Sequence, residues 1–162
     1  MIDASLIFDG TLDTTGAAGP TGVAITTTRV STNVIDWQVA RDVGVNDDLE
    51  VHVIVTTAFT AAGAATLQIE YQTSTDNSTF YGVLLSEAYP VANLVAGAPI
   101  FRYKVPLAQL LQPNTPQKPA RYARLNYTVA TGPMTAGAVT AFITGMDDRQ
   151  SFIPYGPNYS EQ

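Results

Sequence analysis

Apolar and polar positions alternate with a period of two along most of the chain, the pattern of strands that bury one face. In residues 49–59, LEVHVIVTTAF, the positions Leu49, Val51, Val53, Val55 and Phe59 are apolar, with Glu50, His52 and Thr56 between them. One face belongs to a core and the other meets solvent or a partner. ATLQIEYQTS, residues 65–74, repeats the scheme with Leu67, Ile69 and Tyr71 inward and Gln68, Glu70 and Gln72 outward. The AAG between these runs reads as a loop, and the two segments are expected to pair as an antiparallel hairpin. A further strand is predicted over residues 80–85, entered through a tight reversal at Asp76 and Asn77, which tolerate left-handed dihedrals and bond their own backbone. In PIFRYKVP, residues 99–106, Phe101, Tyr103 and Val105 alternate with Arg102 and Lys104. In RYARLNYTVATGPMTAGAVTAFITG, residues 121–145, Ala123, Leu125, Tyr127 and Val129 point inward, and Val139, Ala141 and Ile143 do so again after a Gly-Pro turn. This reads as a second hairpin.

Shorter strands are expected at residues 6–8, 23–29 and 34–37, bringing the count to about eight or nine, the spacing of an all-β sandwich or jelly roll. Helix is confined to one expected turn at residues 106–112, where Leu107, Leu110 and Leu111 stand at helical spacing. QPNTPQKP is a proline-rich loop inside the domain, because the strand pattern resumes beyond it. After Gly145 the alternation stops, and MDDRQSFIPYGPNYSEQ carries Phe152, Ile153, Tyr155 and Tyr159 among two prolines and a glycine. A free tail in water is normally poor in such side chains, so an arm over residues 146–162 is expected to lie on a surface, its own sandwich or a neighbour's. The predicted organisation is a jelly-roll-like antiparallel β-sandwich over residues 1–145 with an extended C-terminal arm.

At 162 residues the chain suits one core. It contains no Cys, which removes disulfides and thiolate metal cages and suits a protein made and kept in a reducing cytoplasm, compatible with a bacterial or phage origin. Charged residues make up 14% of the chain against about 25% in an average protein, which leaves a hydroxyl-rich surface. A net charge of −6 opposes binding to phosphate backbones and anionic lipid, so neither nucleic acid nor membrane is expected as a partner. No apolar run reaches membrane-spanning length, and residues 1–14 carry three Asp and no basic group, unlike a secretory leader. Residues 1–90 hold two basic and eleven acidic groups, net −9, and residues 91–162 hold six and three, net +3. Interleaved strands would blur that contrast; a dipolar subunit would dock on its own copies or on a charged partner.

Candidate chemistry is sparse. His52 is the sole histidine, so any Ser/His/Asp arrangement must be built on it. With Glu50, Asp47 and Asp48 it can be drawn as a metal site, but acids in a VNDDL turn ordinarily serve the turn itself. GAAGPTG lacks the lysine of a phosphate-binding loop, and the DDR at 147–149 lacks the ligand spacing of a calcium loop. No catalytic, cofactor-binding or metal-binding residue is expected. Arg102, Lys104 and Arg124 occupy the polar faces of their strands and would form a basic contact stripe if those strands were neighbours.

The opening MIDASLIF, then STNVID, ARDVGVNDDLEVHVIV, TAFTAAGAATLQIEYQTSTDNSTF and the closing segment 121–145 together resemble the capsid cement, or head decoration, proteins of tailed phages of the Bordetella-phage type. The resemblance implies a jelly roll that assembles as a homo-oligomer, dimer or trimer. It would bind the major capsid protein on the outer surface of the virion and bridge neighbouring capsomers without catalysis. Arg102, Lys104, Arg124 and the arm residues Phe152, Ile153, Tyr155 and Tyr159 are the candidate contacts. Two readings of other classes stand beside it: a carbohydrate-binding jelly roll of a phage fibre or cell-surface protein, with Trp37, Tyr122 or Tyr159 stacking on sugar rings, and a small β-fold enzyme centred on His52.

Overall fold

The computed structural model describes residues 4–11, 21–38, 49–105 and 120–145. Eleven strands follow one another among them: β1 (Ile7–Asp9), β2 (Val23–Ala24), β3 (Arg29–Val30), β4 (Ile35–Asp36), β5 (Leu49–Ala61), β6 (Thr66–Ser74), β7 (Tyr81–Leu85), β8 (Tyr89–Pro90), β9 (Pro99–Lys104), β10 (Tyr122–Ala130) and β11 (Met134–Gly145). Two 3-10 turns, Ala4–Leu6 and Val91–Asn93, complete the described elements.

The strands form two antiparallel sheets. The first has the order β1-β11-β5-β9, with β2 also on β11; the second has the order β3-β10-β6-β7, with β4 also on β10 and β8 also on β6. If β2 is counted with β1, β4 with β3 and β8 with β7, the eight resulting units run 1-8-3-6 in one sheet and 2-7-4-5 in the other. This is the double Greek key of a jelly roll. The protein is therefore all-β, as its alternation predicts.

The inward sets are those read from the sequence. Val51, Val53, Val55 and Phe59 of β5, with Val139, Ala141 and Ile143 of β11, meet Leu67, Ile69 and Tyr71 of β6 and Ala123, Leu125 and Tyr127 of β10 in one core, all at most 4% exposed. Phe8 joins them from β1, its ring edge-on to Tyr71 at 6.2 Å. Period-two burial on both sheets removes apolar surface from water on a scale of about 25 cal/mol per Å2, and this is what holds the layers together.

The expected partners of these strands are corrected. β5 and β6 do not form a hairpin: β5 lies between β11 and β9 in the first sheet, and β6 lies between β10 and β7 in the second. Nor do β10 and β11 pair. β10 is registered against β6 over nine residue pairs from Tyr122↔Ser74 to Ala130↔Thr66, while β11 runs along β5 from Met134↔Ala61 to Gly145↔Leu49. The turn between them carries positive φ at Thr131 (64°) and Gly132 (117°) and passes the chain from one sheet to the other. Alternation fixes which side chains point inward, and an inward side chain serves either layer equally; the partner depends on contacts distant in sequence.

The predicted hairpin at Asp76 is present. Asp76 Oδ1 accepts hydrogen bonds from the backbone N–H groups of Ser78 and Thr79 and from Ser74 Oγ, and Asn77 takes φ 57°. β7 then returns along β6. The expected strand at 23–29 is two short strands, β2 in the first sheet and β3 in the second, with the chain crossing between the layers through residues 25–28. The leucine turn at 106–112 and the arm at 146–162 lie outside the described residues.

Candidate interaction surfaces

The two outward sheet faces differ in what they leave accessible. On the first sheet the register places Glu50 opposite Lys104 and Thr144, and His52 opposite Arg102 and Phe142. Arg102 Nε donates to Glu50 Oε2 at 2.8 Å, and His52 Nε2 lies 3.1 Å from the same oxygen. The imidazole is stacked flat on Phe142, centroids 5.7 Å apart and planes 6° apart. Sequence alternation puts these side chains outward, and they are outward, yet Glu50, His52, Thr140, Phe142 and Thr144 are all buried. The centre of this face is buried, while Arg102 and Lys104 at its β9 edge are exposed.

Within this cluster Glu50 accepts from a guanidinium and faces an imidazole on one oxygen, which holds the carboxylate in place. Among the described residues no three His, Cys, Asp or Glu side chains converge as a metal-ligand set. Asp47 and Asp48, drawn with His52 in the sequence, lie outside the described residues.

On the second sheet Tyr122, Arg124, Asn126 and Thr128 of β10 stand beside Gln68, Glu70 and Gln72 of β6, all half-buried. Arg124 Nε donates to Gln72 Oε1 at 2.8 Å, and its guanidinium sits 3.8 Å from the centre of the Phe80 ring. Burial lowers the Arg124 pKa, partly countered by the charge of Glu70. Gln72 Nε2 donates in turn to Glu70 Oε2 at 2.6 Å. At the end of β10, Arg121 grips Asp36 through two hydrogen bonds of 2.7 Å and lies 5.0 Å from the centre of the Tyr122 ring. The hydrogen bonds from Arg121 hold the Asp36 carboxyl below its ordinary range.

A third polar group sits between the sheets. Asp9, fully buried at the end of β1, accepts on Oδ1 from Arg29 Nη2 (3.1 Å), the Thr32 backbone N–H (2.9 Å) and Thr32 Oγ1 (2.7 Å), and on Oδ2 from the Tyr127 hydroxyl (2.8 Å). Burial above all, with the Asp9 charge beside it, raises the Tyr127 pKa well above its usual value, so the phenol remains a donor. This clasp ties β1 of the first sheet to β3 and β10 of the second. Nothing in the local sequence marks Asp9 for it, because Thr32 and Tyr127 are brought there only by the fold.

The candidate contact residues are separated by this arrangement. Arg102 and Lys104 are on β9 of the first sheet and Arg124 is on β10 of the second, so they lie on opposite faces and form no common stripe. Tyr103, expected inward, is 41% exposed: β9 is an edge strand, and the ring leans on Phe101 at 4.7 Å instead of entering the core. Phe152, Ile153, Tyr155 and Tyr159 lie outside the described residues. Of the aromatics considered for sugar stacking, Trp37 packs against the core and Tyr122 is on the outer face beside Arg121, so the two do not make one platform. Tyr159 is outside the described residues.

Comparison with known families adds what geometry alone does not. The family described as Bbp16 matches residues 20–143, well over half of the chain. The chain belongs to the Bbp16 family. This is a Bordetella phage protein family. No curated protein matches the chain. The Bbp16 match takes in every strand from β2 to β10 and nearly all of β11, along with Arg102, Lys104 and Arg124. β1 with Asp9 and residues 146–162 fall outside it.

Proposed function

We propose that this protein is a structural virion component: a capsid cement that binds the outside of a tailed-phage head as a homo-oligomer and stabilises contacts between capsomers. The observation that carries this reading is the match to a Bordetella phage family across nearly the whole jelly roll. The character of the surface supports it. Glu50 with Arg102, Asp36 with Arg121, and Arg124 with Gln72 and Phe80 engage one another within the chain, so the outward side chains are held in fixed positions before any partner arrives. A preset surface loses little side-chain entropy on docking, which favours adhesion by shape. A cement acts through area repeated by symmetry, so a modest contact multiplied over a shell suffices.

The test is reconstitution. Heads of the encoding phage assembled without the protein should take it up at a fixed stoichiometry, and undecorated heads should lose DNA at a lower temperature than decorated ones. Equal DNA retention with and without the protein would contradict the reading.

A further inference from the structure

β9 is an outer strand of the first sheet, paired with β5 on one side only among the described strands. The Val105 N–H donates to the Leu49 carbonyl at 2.8 Å, and these two residues stand directly opposite each other, one step beyond the Glu50↔Lys104 pair. Opposed residues in an antiparallel ladder alternate between bonded and non-bonded pairs. Val51 with Tyr103 and Val53 with Phe101 are therefore the bonded pairs, and the backbone N–H and C=O of Arg102 point away from β5. No described strand takes them up. The side chains along this rim are also exposed: Arg102 by 39%, Tyr103 by 41%, and Lys104. An open rim of this kind is a template for one more strand.

We propose that the C-terminal arm of the same chain, residues 146–162, adds to the β9 rim as a further antiparallel strand of the first sheet. This holds whether or not the protein decorates a phage head. The starting point of the arm selects it first. Gly145 is registered opposite Leu49, at the same end of the sheet as Lys104, and only β5 lies between β11 and β9. From β11 to a position outside β9 is three strand spacings, about 14 Å, which about five extended residues span. The arm has 17 residues, so enough remain to run back along the six of β9.

Charge selects it again. Asp147 and Asp148 open the arm, which holds three acids and one base, and they enter at the Lys104 end of a basic rim. The β9 of a second copy would instead set Arg102 and Lys104 against their like, which is destabilising between directly opposed residues. Phe152, Ile153 and Tyr155 then follow within reach of the exposed Tyr103 ring, and Pro154, which lacks a donor, is tolerated on an edge strand. Tethering on the same chain supplies a high effective concentration, so a short strand suffices.

The test reads backbone amide exchange residue by residue by NMR, in the full-length protein and in full-length Phe152→Pro/Ile153→Pro, whose arm loses two donors and two apolar side chains. The Tyr103 amide, bonded to β5, reports that the sheet is intact in both. The expected result is an Arg102 amide that exchanges slower in wild type than in the variant by about tenfold or more, with Tyr103 unchanged and with no effect of dilution. Wild-type exchange at Arg102 as fast as in an unstructured peptide would overturn the proposal. Protection that survives in the variant would also overturn it, because something other than the arm would then cover the rim. Protection lost on dilution would refute the assignment to the chain's own arm, by making the contact one between copies.

Discussion

Replacing Asp9 with Ala removes the carboxylate on which four donors converge; Arg29 Nη2 keeps its hydrogen bond to Thr32 Oγ1, while the buried Tyr127 hydroxyl loses its acceptor. Removing one partner of a buried ion pair costs about 3–5 kcal/mol. The Arg29 side chain is 25% exposed and its Nη2 still donates to Thr32 Oγ1 at 2.9 Å, so the lower end applies. The Tyr127 hydroxyl belongs to a residue with no exposure and has no such relief; an unsatisfied buried group of this kind costs about 1–3 kcal/mol. The sum is about 4–6 kcal/mol, or a fall in Tm of about 8–24 °C for a chain of this size. Asp9→Asn keeps an oxygen for Thr32 and Arg29 but turns its amide toward a phenol that must then accept, so about half the loss is expected. Tyr127→Phe removes one donor to a charged acceptor, about 1.5–3 kcal/mol. In the double variant Asp9→Ala/Tyr127→Phe the stranded hydroxyl is gone, so the combined loss falls short of the sum of the single losses. Urea unfolding of the four proteins measures all of this. An Asp9→Ala protein within about 1 kcal/mol of wild type, or a strictly additive cycle, would refute the clasp.

Further consequences concern packing and acid stability. Gly137 holds φ 139°, and a Cβ placed there would run into the ring of buried Phe59; Gly137→Ala should cost about 2–5 kcal/mol by denaturant unfolding, from backbone strain together with overpacking. Leu125→Ala, at a fully buried core position, should cost about 2–5 kcal/mol, whereas Leu85→Ala on the exposed edge should stay within about 0.5 kcal/mol. Asp76 has its pKa lowered, chiefly by the Thr79 and Ser78 N–H groups, below its ordinary 3.8. A lowered folded-state pKa gives stability that is present above the unfolded value and lost as pH falls through the folded one. The urea midpoint should therefore drop as pH falls below about 4, and less steeply in Asp76→Asn; identical slopes would remove Asp76 from the account.

How far the molecule can be read from its sequence depends on the kind of information each feature needs. Val51, Val53 and Val55, or Leu67, Ile69 and Tyr71, announce their inward direction because side-chain direction repeats every two residues whatever the strand pairs with. The Asp76 turn is equally local. The assignment of β10 and β11 to different layers is not local: their alternation is the same for a hairpin and for a chain that changes sheets at Thr131 and Gly132. For the same reason Arg102 and Arg124, each correctly outward, end on opposite faces. Glu50 and His52 show a further limit, since alternation tells which way a side chain points but not whether something covers it. Asp9 was silent because its partners lie 20 to 118 residues away.

The central claim is that this protein works by adhesion to the exterior of a phage head. Cryo-electron microscopy of intact virions of the encoding phage tests it most directly. The account predicts jelly-roll density on the outer surface of the shell at symmetry-related positions. Virions whose exterior carries no copy of this chain would contradict it.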